Sequence, residues 1–194
     1  MIITIGCEYG SGGNHIGQRV ADMLSIEFYD RDIVDSVVAK LGIDQELIEK
    51  ADTENVTYAF ETKLGTRYTN LSNKVITAQS EAIKKFADES DCVIIGRCSD
   101  FFLQERDDVL NVFLYAPLDV RIKAVMTKHS LIHADAEKLL TEKDDALMSR
   151  YKYITGRNRG DREGRQMILD SSVLGWEKTA KYIVQLADLR FGKK

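Results

Sequence analysis

The first seventeen residues narrow the possible folds more than any other part of the chain. Met1-Ile-Ile-Thr-Ile-Gly6 is a short β-branched run. It is followed by a loop with glycines at 6, 10, 12 and 13, and then by Ile16, Val20, Met23 and Leu24 on one helical face. Strand, glycine-rich loop and helix in this order form an arrangement that holds a phosphate. Glycine lets the backbone approach an anion closely, and the first amides of the helix point at it, aided by the positive end of the helix dipole. The other reading of the same residues is a strand-to-helix turn whose glycines serve packing alone.

Compared with the pattern G-x-x-x-x-G-K-[ST], the match is incomplete. With Gly12 as the second glycine, Cys7 stands where the first belongs, Gly13 takes the lysine position and Asn14 the hydroxyl position. The expected phosphate cradle is therefore Gly10, Ser11, Gly12, Gly13 and Asn14, without the usual lysine.

Further short apolar runs, at 26–29, 92–95, 109–115 and 167–169, alternate with helical patterns, as parallel strands buried on both faces do. The predicted helices start after Asp30 as N-cap, at Asp44, at Leu71, after Pro117, at about 134–150, and at Trp176 with Ala180, Ile183, Val184 and Ala187 along one face. Residues 52–70 are polar and weakly periodic and read as an irregular excursion. The expectation is one α/β three-layer domain spanning 1–194 with a parallel sheet. Ligands bind beyond the carboxyl ends of such strands, where 6–14, 30–32, 96–100 and the loop after Pro117 converge.

The chain is acidic overall, with a formal net charge of −4, yet residues 149–165 hold six basic and two acidic residues and three glycines. Arginine forks on a closing loop suit phosphoryl transfer, where negative charge spreads over equatorial oxygens and water must be kept out. A solvated surface loop is the alternative. Arg97, after a strand and a glycine, is placed either for a second phosphate or for an ion pair with Asp100. Arg121, early in the helix after Pro117, faces either a phosphate or solvent. The acidic balance argues against nucleic acid or membrane surfaces as partners. No apolar run approaches the ~20 residues of a membrane span. Three cysteines without a C-x-x-C pair read as reduced thiols in a cytoplasm.

Taken together, I-T-I-G-C-E-Y-G-S-G-G-N at 3–14, F-Y-D-R-D-I-V at 28–34, V-I-I-G-R-C-S-D at 93–100, Y-A-P-L-D-V-R-I at 115–122, R-Y-K-Y-I-T-G at 150–156 and I-L-D-S-S-V-L-G at 168–175 resemble the cytidylate kinase-like family. The resemblance covers nearly the whole chain. It implies a P-loop kinase fold with a helical acceptor-binding insertion at about 30–90 and an arginine-rich lid at about 129–166. It also implies ATP with Mg²⁺ as the donor, and a small acceptor, a nucleoside monophosphate with CMP first by family analogy. On the same basis Gly10 to Asn14 would cradle the ATP phosphates, and Arg97 would lie near the acceptor phosphate. Arg121 would face phosphate, Arg150, Arg157 and Arg159 would be lid groups, and Asp30 would stand at the entrance to the acceptor helices. The resemblance assigns no metal ligand and no oligomeric state. A sensor that binds nucleotide without turnover and a kinase of another small metabolite remain as alternatives.

Overall fold

The computed structural model describes residues 1–53 and 63–192, with side chains for 1–49 and 73–192. Strands β1 (Ile2–Cys7), β2 (Glu27–Tyr29), β3 (Cys92–Ile95), β4 (Val109–Tyr115) and β5 (Met167–Asp170) form one parallel sheet in the order β2-β3-β1-β4-β5. β1 is central, with Gly6 in register with Phe113 of β4 and Ile5 with Ile95 of β3.

Alternation along the strands supplies two cores. Ile3, Ile5, Val93, Leu110 and Val112 pack on α1 (Gly13–Leu24) and α9 (Trp176–Phe191), through Ile16, Val20, Ala180 and Ile183. Ile2, Cys92 and Ile94 face the other way onto α2 (Arg31–Lys40) and α4 (Lys63–Glu89), through Val34, Ile83 and Phe86. Gly17 allows this closeness, because a Cβ there would run into Ile95 Cδ1. The fold is the α/β arrangement with a parallel sheet expected from the strand runs, as the P-loop kinase resemblance also implied.

Three shorter or later helices complete the frame: α3 (Gln45–Thr53), α5 (Ser99–Phe102) and α8 (Ser171–Leu174). The helices α6 (Leu118–His129) and α7 (His133–Thr155) form a hairpin over a small core of Ile122, Val125, Ala136 and Leu140. No helix among the described residues is long and apolar enough to cross a membrane.

Three boundaries differ from the sequence reading. α4 begins at Lys63 rather than Leu71, so 63–70 is helical, as are 52 and 53, while 54–62 lies outside the described residues. The polar composition of these residues carries no periodic signal. α7 runs to Thr155, so the start of the basic segment is helix, with Arg150 and Tyr151 buried. Trp176 is 39% exposed and does not join the α9 core face.

Candidate active site

Because every strand is parallel, the carboxyl ends of β1, β3, β4 and β5 share one end of the sheet. The loop after β1 reaches α1 through Gly10 and Gly12, with φ of 83° and 88°, in the left-handed region that glycine enters without strain. Gly12 is the N-cap of α1 and no side chain caps it. The amides of Gly10, Gly12, Asn14 and His15 meet no hydrogen-bond acceptor among the described residues. A row of amide donors at a helix start with no internal acceptor suits an anion, and we call this loop the cradle.

The cradle is held rigidly from beneath. The buried Ser11 turns its hydroxyl inward to donate to Glu8 O at 2.8 Å, and Ser171 Oγ donates to Ser11 O at 2.7 Å. The Ser11 amide also donates to Glu8 O, at 3.2 Å, so Ser11 braces the loop rather than offering a donor to its rim, and the Asn14 side chain is exposed. Arg121 is 8% exposed and its donors go to protein. Its Nε donates to Ala116 O at 3.0 Å and lies 3.2 Å from Glu8 Oε2; Nη1 donates to Tyr9 O at 3.1 Å and to Asp144. Tyr9 N also donates to Asp144 Oδ1 at 2.9 Å. Arg121 therefore ties the loop, α6 and α7 together, in place of the phosphate-facing position expected of it.

The absent lysine has a steric cause. A Cβ on Gly13 would overlap Cys7 Sγ and stand 2.9 Å from Cys7 Cβ. Burial pushes the Cys7 thiol above its ordinary pKa, opposed by the charge of Arg159 and helped down by the Gly13 amide, which donates to the sulfur. The space a side chain at 13 would need is filled from below.

At the end of β3, Gly96, Arg97 and Cys98 are three consecutive residues with φ of 65°, 54° and 56°. Non-glycine residues in this region are strained, and such strain concentrates at functional sites. The turn buries Arg97 against Asp35 of α2. Gln79 of α4, fully buried, donates to Asp35 Oδ1 at 2.8 Å and accepts from Arg150 Nη2 at 2.5 Å. One polar chain, Arg97–Asp35–Gln79–Arg150, thus connects β3, α2, α4 and α7.

These groups border a small cavity of about 40 Å³ whose lining includes Gly6, Arg97, Asp100, Arg150, Arg159 and Arg165. Phe113 and Tyr151 form its aromatic wall. The Arg165 guanidinium lies 4.4 Å from the Phe113 centroid, and that of Arg159 lies 5.9 Å from it. Tyr151 Oη donates to Asp100 Oδ2 at 2.8 Å, and burial together with the Asp100 charge pushes the phenol far above its ordinary pKa. Arg159 lines this cavity, and its charge works against the burial that raises the thiols of Cys7 and Cys98.

The sequence-marked residues thus divide. Of residues 10–14, Gly10, Gly12 and Asn14 have amides without an acceptor among the described residues, whereas those of Ser11 and Gly13 bond Glu8 O and the Cys7 sulfur, and Arg97, Arg150 and Arg159 share the cavity beside Gly6. Arg157 is elsewhere, 5.9 Å from the Phe101 ring and 3.8 Å from Glu163, bordering a separate cavity of about 360 Å³. Asp30 caps α2, its Oδ1 accepting from Ile33 N at 3.1 Å. Sequence reasoning missed Asp35, Gln79, Glu8, Asp144 and Trp176. Gln79 alone carried a signal, as a polar residue in the stripe of Val75, Ala78, Ala82 and Phe86. Trp176 closes the far side: a Cβ on Gly12 would stand 2.5 Å from its Cε2 and 2.8 Å from its Cδ1. Among the described residues, no group of three or more His, Cys, Asp or Glu could hold a metal ion.

A model of the cytidylate kinase-like family matches residues 2–173. A cytidylate kinase of Methanopyrus kandleri is 26% identical over 181 residues, covering 89% of this chain and 85% of that protein. An uncharacterized protein of Eubacterium ventriosum superposes with a TM-score of 0.76 at 19% identity, over 98% of this chain and 99% of that one. Shikimate kinase of Bacteroides thetaiotaomicron superposes with a TM-score of 0.57 at 15% identity, over 97% and 98%. Both structural likenesses are of fold.

Proposed function

Because this chain belongs to the cytidylate kinase-like family, we propose that it transfers the γ-phosphoryl group of ATP to the phosphate of a small acceptor, a nucleoside monophosphate with CMP first. The observation that supports this reading is that the glycine loop with its free amides follows β1, whose Gly6 lines the arginine cavity. In that reading α2 to α4 are the acceptor-binding insertion, and α7 with 156–166 is the lid.

The amides of Gly10, Gly12, Asn14 and His15 hold the donor phosphates. The left-handed φ at Gly10 and Gly12 fits a backbone that must stand close to an anion. Mg²⁺, where bound, would supply charge neutralisation to the donor phosphates.

An acceptor oxygen attacks Pγ, the bond from Pγ to the β,γ-bridging oxygen breaks, and ADP leaves with those electrons. A phosphomonoester is already mostly dianionic at neutral pH, its second pKa being about 6, so no general base is needed. The chain's task is positioning and charge neutralisation. Arg97 and Arg150, fixed by Asp35 and Gln79, orient the acceptor. Arg159, between cradle and cavity, supplies charge that a loop lysine gives elsewhere. Arg121 is a positioning residue for the cradle.

The test is ADP release with ATP and Mg²⁺ across a panel of nucleoside monophosphates and shikimate-like alcohols. Turnover that depends on a monophosphate supports the reading; turnover with an alcohol only favours a kinase of another metabolite. The filled space at Gly13 favours a second reading, a nucleotide-binding regulator without turnover. Calorimetric ATP binding with no acceptor-dependent ADP would establish it.

A further inference from the structure

Arg165 enters the cavity from a segment that the loop pattern does not mark. Its side chain is 2% exposed. Nε donates to Asp161 O at 2.7 Å, Nη2 donates to Arg159 O at 2.6 Å, and Asp100 Oδ2 lies 3.5 Å from Nη2. With the Phe113 ring beneath, these contacts fix the guanidinium plane. Nη1 is left buried with no hydrogen-bond partner among the described residues. It points at the end of β1, since a Cβ on Gly6 would stand 3.1 Å from it.

The backbone around Arg165 is anchored to the sheet. Asn111 of β4 donates through Nδ2 to Gly164 O at 3.0 Å, and its amide donates to Gln166 Oε1 at 2.7 Å. Asn111 Oδ1 is held in turn by Thr4 Oγ1 at 2.6 Å. A donor mounted on β1 and β4 in this way is in place before any ligand arrives. Arg97, Arg150, Arg159 and Arg165 line this cavity together with Asp100. A buried donor without an acceptor is costly, and a ligand oxygen removes the cost.

We propose that Arg165 is a preorganised binding residue for the acceptor's phosphate, its Nη1 donating to a phosphate oxygen over Gly6. This rests on the phosphoryl-transfer reading above and adds to it a residue of the 156–166 segment whose neighbours, Gly164 and Gln166, are held by Asn111 of β4. The test is calorimetry of nucleoside monophosphates and of the matching nucleosides on wild type, Arg165→Gln, Arg165→Lys and Gly6→Ala. The expected result is a loss of about 10- to 100-fold in monophosphate affinity for Arg165→Gln, from removing a charged hydrogen bond. Nucleoside affinity stays unchanged, and Arg165→Lys recovers part of the loss.

Gly6→Ala sets a methyl in the anion's place while leaving the other Arg165 bonds intact, and gives the same selective loss should Arg165→Gln fail to fold. If wild type prefers a monophosphate and Arg165→Gln keeps that preference, Arg165 is not its binding residue, while the transfer reading stands. Equal loss of nucleotide and nucleoside would assign Arg165 a purely structural role and overturn the proposal. If wild type binds ATP but prefers no monophosphate over its nucleoside, the acceptor reading and this inference fall together.

Discussion

Cys7 and Gly13 show how a single contact sets the chemistry of a loop. The sulfur occupies the space a side chain at 13 would need, so Gly13→Lys does not restore a P-loop lysine; it disrupts the cradle. Gly13→Ala should lower stability by about 1–3 kcal/mol through overpacking. Adding Cys7→Gly should recover most of it, a coupling measurable by a double-mutant cycle in urea. Equal destabilisation with either residue at position 7 would show that the sulfur is not the obstacle. Trp176 is the chain's single tryptophan and lies against Gly12, so its emission should change when ATP binds. An unaltered spectrum at ATP concentrations that saturate by calorimetry would place the nucleotide elsewhere. Neither partner was visible from sequence: the glycines announced a close approach, but what approaches them comes from β1 itself and from α9, 164 residues after Gly12.

At the scale of elements, Asp35 and Gln79 join α2 and α4 to the arginines of β3 and α7. Removing one partner of a buried ion pair leaves a charge in a poorly solvated place and costs about 3–5 kcal/mol. Asp35→Ala should therefore lower stability by an amount in that range, and should weaken acceptor binding more than ATP binding, since the cradle is separate from this network. Urea denaturation and calorimetry read the two effects. A change below about 0.5 kcal/mol, the range typical of surface substitutions, would contradict a structural ion pair. Strand runs and amphipathic helices could be read from the sequence because burial imposes their periods. The polar chain could not be, because its four members are far apart in sequence and meet only after the helices pack on the sheet. Arg121 misled for the same reason: its acceptors, Glu8 and Asp144, come from distant elements.

Over the whole molecule, buried thiols give a pH signature. Burial raises Cys98 from an ordinary 9.0 to about 11 and Cys92 to about 12, and raises Cys7 as well. A raised folded pKa means that the unfolded chain loses its protons first. The stabilisation is then complete below about pH 9 and falls as pH rises through the folded values. Tm should decline between pH 9 and 11, and Cys98→Ala should flatten part of that decline; a slope identical to wild type would exclude Cys98 as a contributor.

The sheet order and parallel strands bring the cradle, the β3 turn and the basic segment to one edge, which is what makes a two-substrate site possible. The most direct measurement is the affinity for two nucleosides joined by five phosphates, compared with ATP and with the monophosphate. Adjacent donor and acceptor sites predict binding at least about 100-fold tighter than either alone, by effective concentration. An affinity no better than that for ATP would mean that the two anion-binding elements do not act together, and would contradict the account.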